Sequence, residues 1–406
     1  MELFQNWSET KSALLEGLDD RRKKIVAPLL ENGKQHLAET APAGVTPSGG
    51  IGQFQNIVIP MIRRIIPATI ATELVGVQPM SGPTGLAFSL RFIFSQALNT
   101  GAAATDIASG DQVFGNNSKT KRFYSGGMTA GVDGNLFTPD DVATGAAAPT
   151  ADFESFGGRN MELRVLKQSV NAQTRRLQAK WTIEAMQDLN AMHGLDLESE
   201  ITGALSAEIV QEIDNEIIND LLSLAGTPET FDMAGSFTGT PHYVGDRHAV
   251  LGVLINKVSA EIARKTRRGP ANFIVVSPLV AAALQSASKS VFAPAVSGSF
   301  EGPNNTKLIG TLNGSIKVYS YLYHDSGTEP ILVGYKGGNG ETDAGYFYCP
   351  YIPLMSSGVL TDPNTYNPQV SLATRYGKAI FTNSGSSLGN SADYYGKITV
   401  SNLSFL

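Results

Sequence analysis

Few groups of residues in this sequence have the types and spacing needed for catalysis. The five histidines show no ligand spacing such as His-Glu-x-x-His. The glycine-rich residues 337–343 are not followed by Lys-Ser/Thr and a helix, as a phosphate-binding loop would be. Glu212 and Glu216 could form an acid and base pair, but an ion-paired surface explains them better. The sequence therefore predicts no catalytic, metal or cofactor site.

Acidic residues dominate one long stretch. Residues 181–246 contain thirteen Asp or Glu and neither Lys nor Arg. Asp196 is placed to cap a helix ending near Leu224, whose apolar residues recur every four positions; this stripe turns by about 40° per step, so the helix must contact several elements. Like charges one turn apart repel, so cations from this chain or from neighbouring subunits must compensate. The predicted intersubunit charges are Arg63, Arg64, Arg175, Arg176, Glu208, Glu212 and Glu216.

A crowded turn precedes a very regular strand. Prolines fix two backbone angles and glycines free two others, which specifies one path for the chain. From Leu86 to Phe94 every second residue is apolar, and the other side carries Ala87, Ser89 and Arg91. Period-two alternation predicts a strand with one buried and one partly wet face. The turn residues are Pro79, Gly82, Pro83 and Gly85.

A segment of about 65 residues separates this strand from the next strand-like stretch, residues 161–177. That length is far beyond an ordinary loop of about 4 to 6 residues. We predict that the two strands pair as a hairpin and project the intervening segment outward.

The N-terminal residues 1–39 combine many charges with scattered leucines, which predicts a strongly solvated amphipathic helical segment. Residues 40–52 have no periodicity and are rich in Gly and Pro, which is typical of an exposed linker and a protease-sensitive site.

The second half alternates strand and helix patterns. Residues 272–277 predict a buried strand, followed by a helix that opens at Pro278. Asn313-Gly314 predicts a tight hairpin. We further expect residues 331–336 to pair with residues 344–351, and the last strands, up to Val400, to return to the sheet begun by the strand at Leu86.

Composition limits the class of protein. The chain has 406 residues, 42% of them hydrophobic, and a net charge of −6. This describes a globular protein whose contact with DNA should be weak and non-specific, because counterion release needs a basic surface. No apolar run could span a membrane and no secretory signal is visible, which predicts a chain that stays in the cytoplasm where it is made. The single cysteine, Cys349, is expected to be a packed small hydrophobe.

Several long motifs resemble one family, the major capsid proteins of T-even-type tailed bacteriophages. The resemblance covers most of residues 37–381 and implies an α+β fold of the Hong Kong phage capsid type. The matching stretches are GVQPMSGPTGLAFSLR, LQAKWTIEAMQDLNAMHGLDLESEI, EIVQEIDNEII, EIARKTRRGPANFIVVS, VGYKGGNGETDAGYFYCPY and TRYGKAIF. The region 99–160 is shorter than in the T-even protein, and the N-terminal segment differs.

The resemblance also implies a division of the chain. It comprises an N-terminal pro-segment (1–39), an N-terminal arm (40–83), an extended E-loop hairpin (84–177), a peripheral domain with a spine helix (178–224), an axial domain (225–367) and return strands of the peripheral domain (368–406). Family prohead proteases cut after Leu or Ile, any residue, then Glu. Leu37, Ala38 and Glu39 match, which predicts cleavage before Thr40.

The implied function is structural: hexamers that form the icosahedral head shell around double-stranded DNA, assembled in the bacterial cytoplasm with vertex, portal and scaffold proteins. No cofactor and no membrane partner are implied. The alternatives are a pentameric vertex protein, an encapsulin-type compartment shell, and a cytoplasmic α/β enzyme. DNA compaction is a further, weaker alternative because of the net negative charge.

Overall fold

The computed structural model describes thirteen parts of the chain. They are residues 7–39, 69–95, 109, 160–194, 196–233, 244–266, 268–287, 292–294, 306–321, 328–337, 343–362, 364–380 and 391–403. Arg63, Arg64, Thr40, the expected linker and nearly all of the expected long loop lie outside these residues.

Helices and strands are interspersed along the described chain. The helices are α1 (Trp7–Leu15), α2 (Asp20–Glu39), α3 (Ala71–Leu74), α4 (Ile183–His193), α5 (Leu197–Leu224), α6 (Val244–Thr266) and α7 (Pro278–Gln285). The strands are β1 (Gly76–Val77), β2 (Thr84–Phe94), β3 (Met161–Asn171), β4 (Gln173–Lys180), β5 (Thr227–Asp232), β6 (Phe273–Val276), β7 (Phe292–Pro294), β8 (Thr306–Leu312), β9 (Ile316–Tyr321), β10 (Glu329–Gly334), β11 (Tyr346–Ser356), β12 (Leu360–Thr361), β13 (Pro368–Ile380) and β14 (Tyr395–Ser401). None of these helices has the length and apolar composition needed to cross a membrane.

Five strands form a sheet around β13. This long strand pairs antiparallel with β11, β12 and β4, and β1 joins the far edge of β11 in parallel. Helix α5 packs against β4 and β13. Apolar side chains of α5 and β13, together with Trp181, form one large core cluster.

Seven strands form a second sheet in the order β5-β14-β10-β6-β9-β8-β7. Its central strands are buried on both faces because α6 and α7 pack against them, while α5 contacts β10 and β14. The expected buried strand at β6 and the helix opening at Pro278 are confirmed, with Ser277 as the N-cap. The expected tight hairpin is confirmed too: Asn313 and Gly314 both have positive φ, as a two-residue turn of this kind requires.

Two expectations about the sheets are wrong. Strands β10 and β11 do not pair with each other: β10 lies between β6 and β14, and β11 pairs with β13 and β1. The closing strands also do not return to β2. Strand β13 belongs to the five-stranded sheet and β14 to the seven-stranded sheet. Local apolar patterns identified these strands correctly, but pairing depends on contacts far apart in sequence.

The expected pairing of β2 and β3 is confirmed. They form a separate antiparallel two-stranded ribbon from Thr84↔Asn171 to Phe94↔Met161. A small cluster that contains Met80, Ala87, Val170 and Cys349 fixes the base of this ribbon to the five-stranded sheet. A Cβ at Gly377 would lie 2.3 Å from Val170 Cγ1, so only glycine allows β13 to approach the base so closely. Cys349 is buried, as expected.

Helix α2 is less solvated than predicted, whereas α1 has no buried residue. Helix α2 places Ile25, Val26, Leu29 and Leu30 in the main core cluster, where each is nearly inaccessible to solvent. The helix packs against β11, and the Asn32 side chain donates to the main-chain carbonyls of Met80 (2.9 Å) and Tyr351 (3.0 Å). The charges of α2 lie on its other faces. Its high charge content therefore led to a prediction of strong solvation, although a narrow apolar stripe is buried.

Candidate assembly surfaces

Helix α5 begins and ends where the sequence predicts. The Asp196 carboxylate accepts a hydrogen bond from the Glu198 amide at 3.2 Å and caps the first turn. Preceding helix α4 ends at Gly194, which has φ of 64°. With 28 residues, α5 is about 42 Å long and contacts both sheets. The expectation that this helix crosses several partners is confirmed.

Three carboxylates along α5 are joined by two cations into what we call the charge ladder: Glu212, Arg175, Glu216, Lys378 and Asp220. The Arg175 guanidinium lies 2.6 Å from Glu212 and 2.7 Å from Glu216. The Lys378 ammonium lies 3.0 Å from Glu216 and 2.6 Å from Asp220. Because the carboxylates are four residues apart, they lie along one side of the helix, facing the strands that carry the cations.

Two tyrosines complete the ladder. The Tyr376 hydroxyl donates to Glu216 and lies 3.1 Å from the Arg175 Nε, and the Tyr346 hydroxyl donates to Asp220 at 3.0 Å. Burial alone would raise the pKa of Glu216, but hydrogen bonds from Tyr376, Lys378 and Arg175 lower it below its usual value. Burial and the bond to Glu216 raise the pKa of Tyr376 to about 12. Glu216 therefore stays ionised at neutral pH, and Tyr376 stays protonated.

The predicted charges thus separate into two groups. Arg175, Glu212 and Glu216 contact one another within a single chain. Arg176, the next residue on β4, is exposed, and so is Glu208, one turn before Glu212. Within the described residues, neither of these two side chains has an ion pair or hydrogen bond. An intersubunit role for any of these charges remains a prediction.

A buried carboxyl on the opposite side of α5 was not predicted. Asp214 is 2% exposed, and its Oδ1 accepts a hydrogen bond from the Ile70 amide at 3.1 Å. Burial raises its pKa to about 8, although the bond from Ile70 opposes that shift. The sequence contains the signal: Val210 and Ile218, one turn away on either side, extend the apolar surface across Asp214.

Most of the large apolar side chains of the β2-β3 ribbon lie on one face, because directly opposed residues of antiparallel strands share a face. The expectation that this face is buried is wrong for the chain by itself. Leu86 is 53% exposed and Leu163 57%. We call this surface the ribbon face. Its exposed members are Leu86, Phe88, Phe92, Met161, Leu163 and Val165.

The turn before the ribbon is held by main-chain bonds. The Gln78 amide donates to Tyr348 O at 3.0 Å and the Met80 amide to Pro350 O at 2.9 Å. The Gln78 side chain also bonds both main-chain groups of Phe88 at 3.3 Å, as a neighbouring strand would. Neither Gly82 nor Gly85 has a positive φ, so the expected use of glycine freedom at these positions is wrong. Pro79 and Pro83 lie within the same turn, which continues directly into β2.

The expected processing motif coincides with a structural boundary. Helix α2 ends at Glu39, so Leu37 and Glu39 belong to its last turn, and Thr40 lies outside the described residues. Across the described residues, no group of three or more His, Cys, Asp or Glu is arranged to hold a metal ion.

Sequence comparisons identify relatives over most of the chain. The family model "Major capsid protein Gp23" matches residues 51–400. The major capsid protein of Vibrio phage KVP40 is 32% identical over 424 residues, which covers 86% of this chain and 81% of the relative. The major capsid protein of Enterobacteria phage T6 is 31% identical over 455 residues, which covers 93% of this chain and 89% of the relative.

Solved capsid structures overlap more loosely. The capsid of Myoviridae phage XM1 covers 80% of this chain and 89% of its own, with 12% identity and a TM-score of 0.42. A Mycobacterium phage Bobi chain covers 82% of this chain and 91% of its own, with 12% identity and a TM-score of 0.44. The assignment depends on the sequence matches, not on these overlaps. The described elements confirm the expected α+β class. The matching family confirms the expected Hong Kong phage-type fold, because the resemblance attributed that fold to the same family. Because the family model spans most of its length, this chain belongs to the major capsid protein Gp23 family.

Proposed function

We propose that this chain self-assembles into hexamers that form the icosahedral head shell of a tailed bacteriophage around its double-stranded DNA. The family consists of structural capsid proteins, so the chain is a virion shell subunit and not the cytoplasmic α/β enzyme considered above. A family of major capsid proteins also disfavours the vertex and encapsulin alternatives. The chain assembles with other capsid components; scaffold, portal and vertex proteins and a prohead protease are the partners we propose.

The ribbon face is the observation that supports this proposal most directly. A two-stranded ribbon with six exposed apolar side chains is not stable in water by itself. In the division proposed above, this ribbon is the base of the E-loop (84–177). We propose that its apolar face packs on a neighbouring subunit. Burial of many modest contacts of this kind, repeated around a shell, would stabilise the particle.

The remaining proposed roles follow the same division. Residues 40–83 serve as the arm, which joins the five-stranded sheet at β1, and α5 serves as the spine. Arg176 and Glu208, together with one of Arg63 and Arg64, are the charges available to neighbouring subunits. The net charge of −6 keeps contact with packaged DNA weak. Residues 1–39 are removed by cleavage after Glu39. Detection of Met1 in mature particles by mass spectrometry would exclude that removal.

Thiol labelling tests the ribbon face directly. Cys349 is buried, so a cysteine introduced at the surface would be the reactive thiol. We expect Leu163→Cys to react readily in free subunits and at least about tenfold more slowly in assembled shells, because an interface core excludes solvent. Arg164→Cys, the next residue but on the opposite face, is the matched control. Equal labelling of Leu163→Cys in both states would contradict the proposal.

Electron microscopy tests the assembly itself. Purified product should show closed shells with hexameric units. Particles built only of pentamers, or a chain that stays monomeric in size-exclusion chromatography under all conditions, would exclude the proposed function.

A further inference from the structure

Helix α2 occupies a groove on the body of its own chain. We define the α2 groove as the surface of α3 and β11 that α2 covers. At one end the Arg22 guanidinium lies 3.2 Å from the Glu73 carboxylate. At the other end Asn32 donates to the carbonyls of Met80 and Tyr351. Between them lie Ile25, Val26, Leu29 and Leu30, in one cluster with Ile70, Ala71, Leu74 and Val75.

Loss of α2 would leave this groove uncovered. All eight of those side chains are less than 5% exposed and belong to one core cluster, so removal of α2 would uncover apolar side chains of the body. A monomer rarely leaves such a patch open, because exposed apolar area is unfavourable in water. Glu73 would keep its contact with Lys317 at 3.6 Å but would lose Arg22.

The sequence contains a second copy of the motif that fills the groove. Residues 25–30 read IVAPLL, and residues 57–62 read IVIPMI. The two are identical at Ile25 and Ile57, at Val26 and Val58, and at Pro28 and Pro60. In the same alignment Met61 and Ile62 stand opposite Leu29 and Leu30, so both segments have four apolar residues of similar volume at the same spacing.

The second copy is also placed where it can reach the groove. Six residues separate Ile62 from Thr69, and they can span at most about 20 Å. The described chain resumes at Thr69, directly before Ile70 and Ala71 of the groove. The apolar spacing i, i+1, i+4, i+5 is the same read in either direction. A segment running back from Thr69 would place Ile62, Met61, Val58 and Ile57 where Ile25, Val26, Leu29 and Leu30 had been. It would also carry Arg63 and Arg64 to the Glu73 end, where Arg22 had been.

We propose that, once residues 1–39 are removed, residues 57–62 of the same chain occupy the α2 groove, with Arg63 or Arg64 replacing Arg22 at Glu73. The inference rests on the proposed cleavage after Glu39. Before the cut both copies are tethered to the body; afterwards only residues 57–62 keep the high effective concentration of an intramolecular ligand. The cut therefore exchanges one occupant for the other and changes the path of the arm that leads to neighbouring subunits.

The test uses the full chain with a specific protease site inserted between Glu39 and Thr40, so it does not depend on natural processing. After cutting, we measure release of the 1–39 peptide and amide hydrogen exchange of residues 74–80. We expect release, with exchange within about threefold of the uncut chain, because the groove is refilled. In the Val58→Asp/Met61→Asp variant, residues 57–62 can no longer compete for the groove, so the 1–39 peptide should be retained about tenfold more tightly. Removal of that peptide should then accelerate exchange of residues 74–80 at least about tenfold, because the groove stays open.

Two further variants control for folding and specificity. Ile65→Asp/Ile66→Asp adds the same charge to the same segment outside the motif and should behave like the unsubstituted chain. Replacing IVIPMI by IVAPLL, through Ile59→Ala, Met61→Leu and Ile62→Leu, should preserve groove protection. Equal exchange in the Val58→Asp/Met61→Asp and unsubstituted chains would overturn the inference, and so would the same acceleration in the Ile65→Asp/Ile66→Asp control.

Varying the protein concentration distinguishes a segment of the same chain from a neighbouring copy as the occupant of the groove. Protection by residues of the same chain is independent of protein concentration. Protection that appears only on concentration, together with a larger particle mass, would assign the groove to a neighbouring copy and overturn the proposal. An intact residue 1 in mature particles would instead refute natural cleavage while leaving the result with the cut chain unchanged.

Discussion

The ribbon of β2 and β3 and the N-terminal helix α2 both differ from the burial that their sequences predict, in opposite directions. The ribbon has the most regular apolar alternation in the chain, yet its apolar face is exposed. Helix α2 begins with a run of charges, yet four of its side chains lie in the main core. An apolar pattern therefore shows that a face requires burial, but it does not show which molecule provides the cover. The ribbon face is suited to a neighbouring subunit, and α2 to its own chain.

The largest expected effect concerns assembly through the ribbon. Phe88→Asp places a charge in the ribbon face, and we expect the yield of shells to fall at least about thirtyfold, as for loss of an interface hot spot. Particle sedimentation measures the yield. Gln168→Asp, which adds the same charge on the opposite face of the ribbon, should assemble nearly normally. Equal losses in both variants would mean that the face has no special role.

One substitution made in both regions tests the comparison most directly. Leu29→Ala should lower the free energy of unfolding of the free subunit by about 2–5 kcal/mol, because it leaves a cavity in the core. Leu86→Ala should change it by less than about 0.5 kcal/mol, because Leu86 is already exposed. Urea denaturation of unassembled chains measures both. Similar values for the two variants would remove the distinction between the regions.

A pH series tests the polar support beneath the buried region, where Asp214 holds Ile70. Its pKa of about 8 lies above that of an unfolded aspartate, so its stabilising contribution is complete below about pH 4 and is lost as the pH rises to about 8. Asp214→Asn removes this titration. Across that range the unsubstituted chain should therefore lose roughly 2–5 kcal/mol relative to the variant. A pH-independent difference in denaturation midpoint would show that Asp214 does not titrate there.

The smallest effect is expected where the ribbon joins the body. Arg175→Ala removes the cation between Glu212 and Glu216 and should lower the free energy of unfolding by about 1–2 kcal/mol. This value is modest because the Arg175 side chain is about one-third exposed. Arg176→Ala should cost less than about 0.5 kcal/mol in the free chain. Denaturation gives both values. If Arg176→Ala nevertheless impairs shell yield, the charge serves a neighbouring subunit.

Local signals predicted many individual elements. Asp196 and Gly194 marked helix ends, and Asn313-Gly314 marked a hairpin, because capping and turn geometry depend on a few adjacent residues. Pairing of β10 and β11 was predicted wrongly, since neighbours in sequence went to different sheets. The candidate surfaces were predicted in part. Glu212, Glu216 and Arg175 were identified as charges needing partners, but that they meet within one chain could not be read from their spacing.

The sequence by itself determined the family, the elements and the chemical character of each face, because these depend on long motifs, short-range backbone preferences and residue type. Only the tertiary structure decided which apolar faces are covered. It buried Leu29 and left Leu86 exposed, and it placed Asp214 beneath Ile70 while aligning Glu212 with Arg175. Burial is a property of the whole packed molecule, since each side chain is covered by residues distant in sequence.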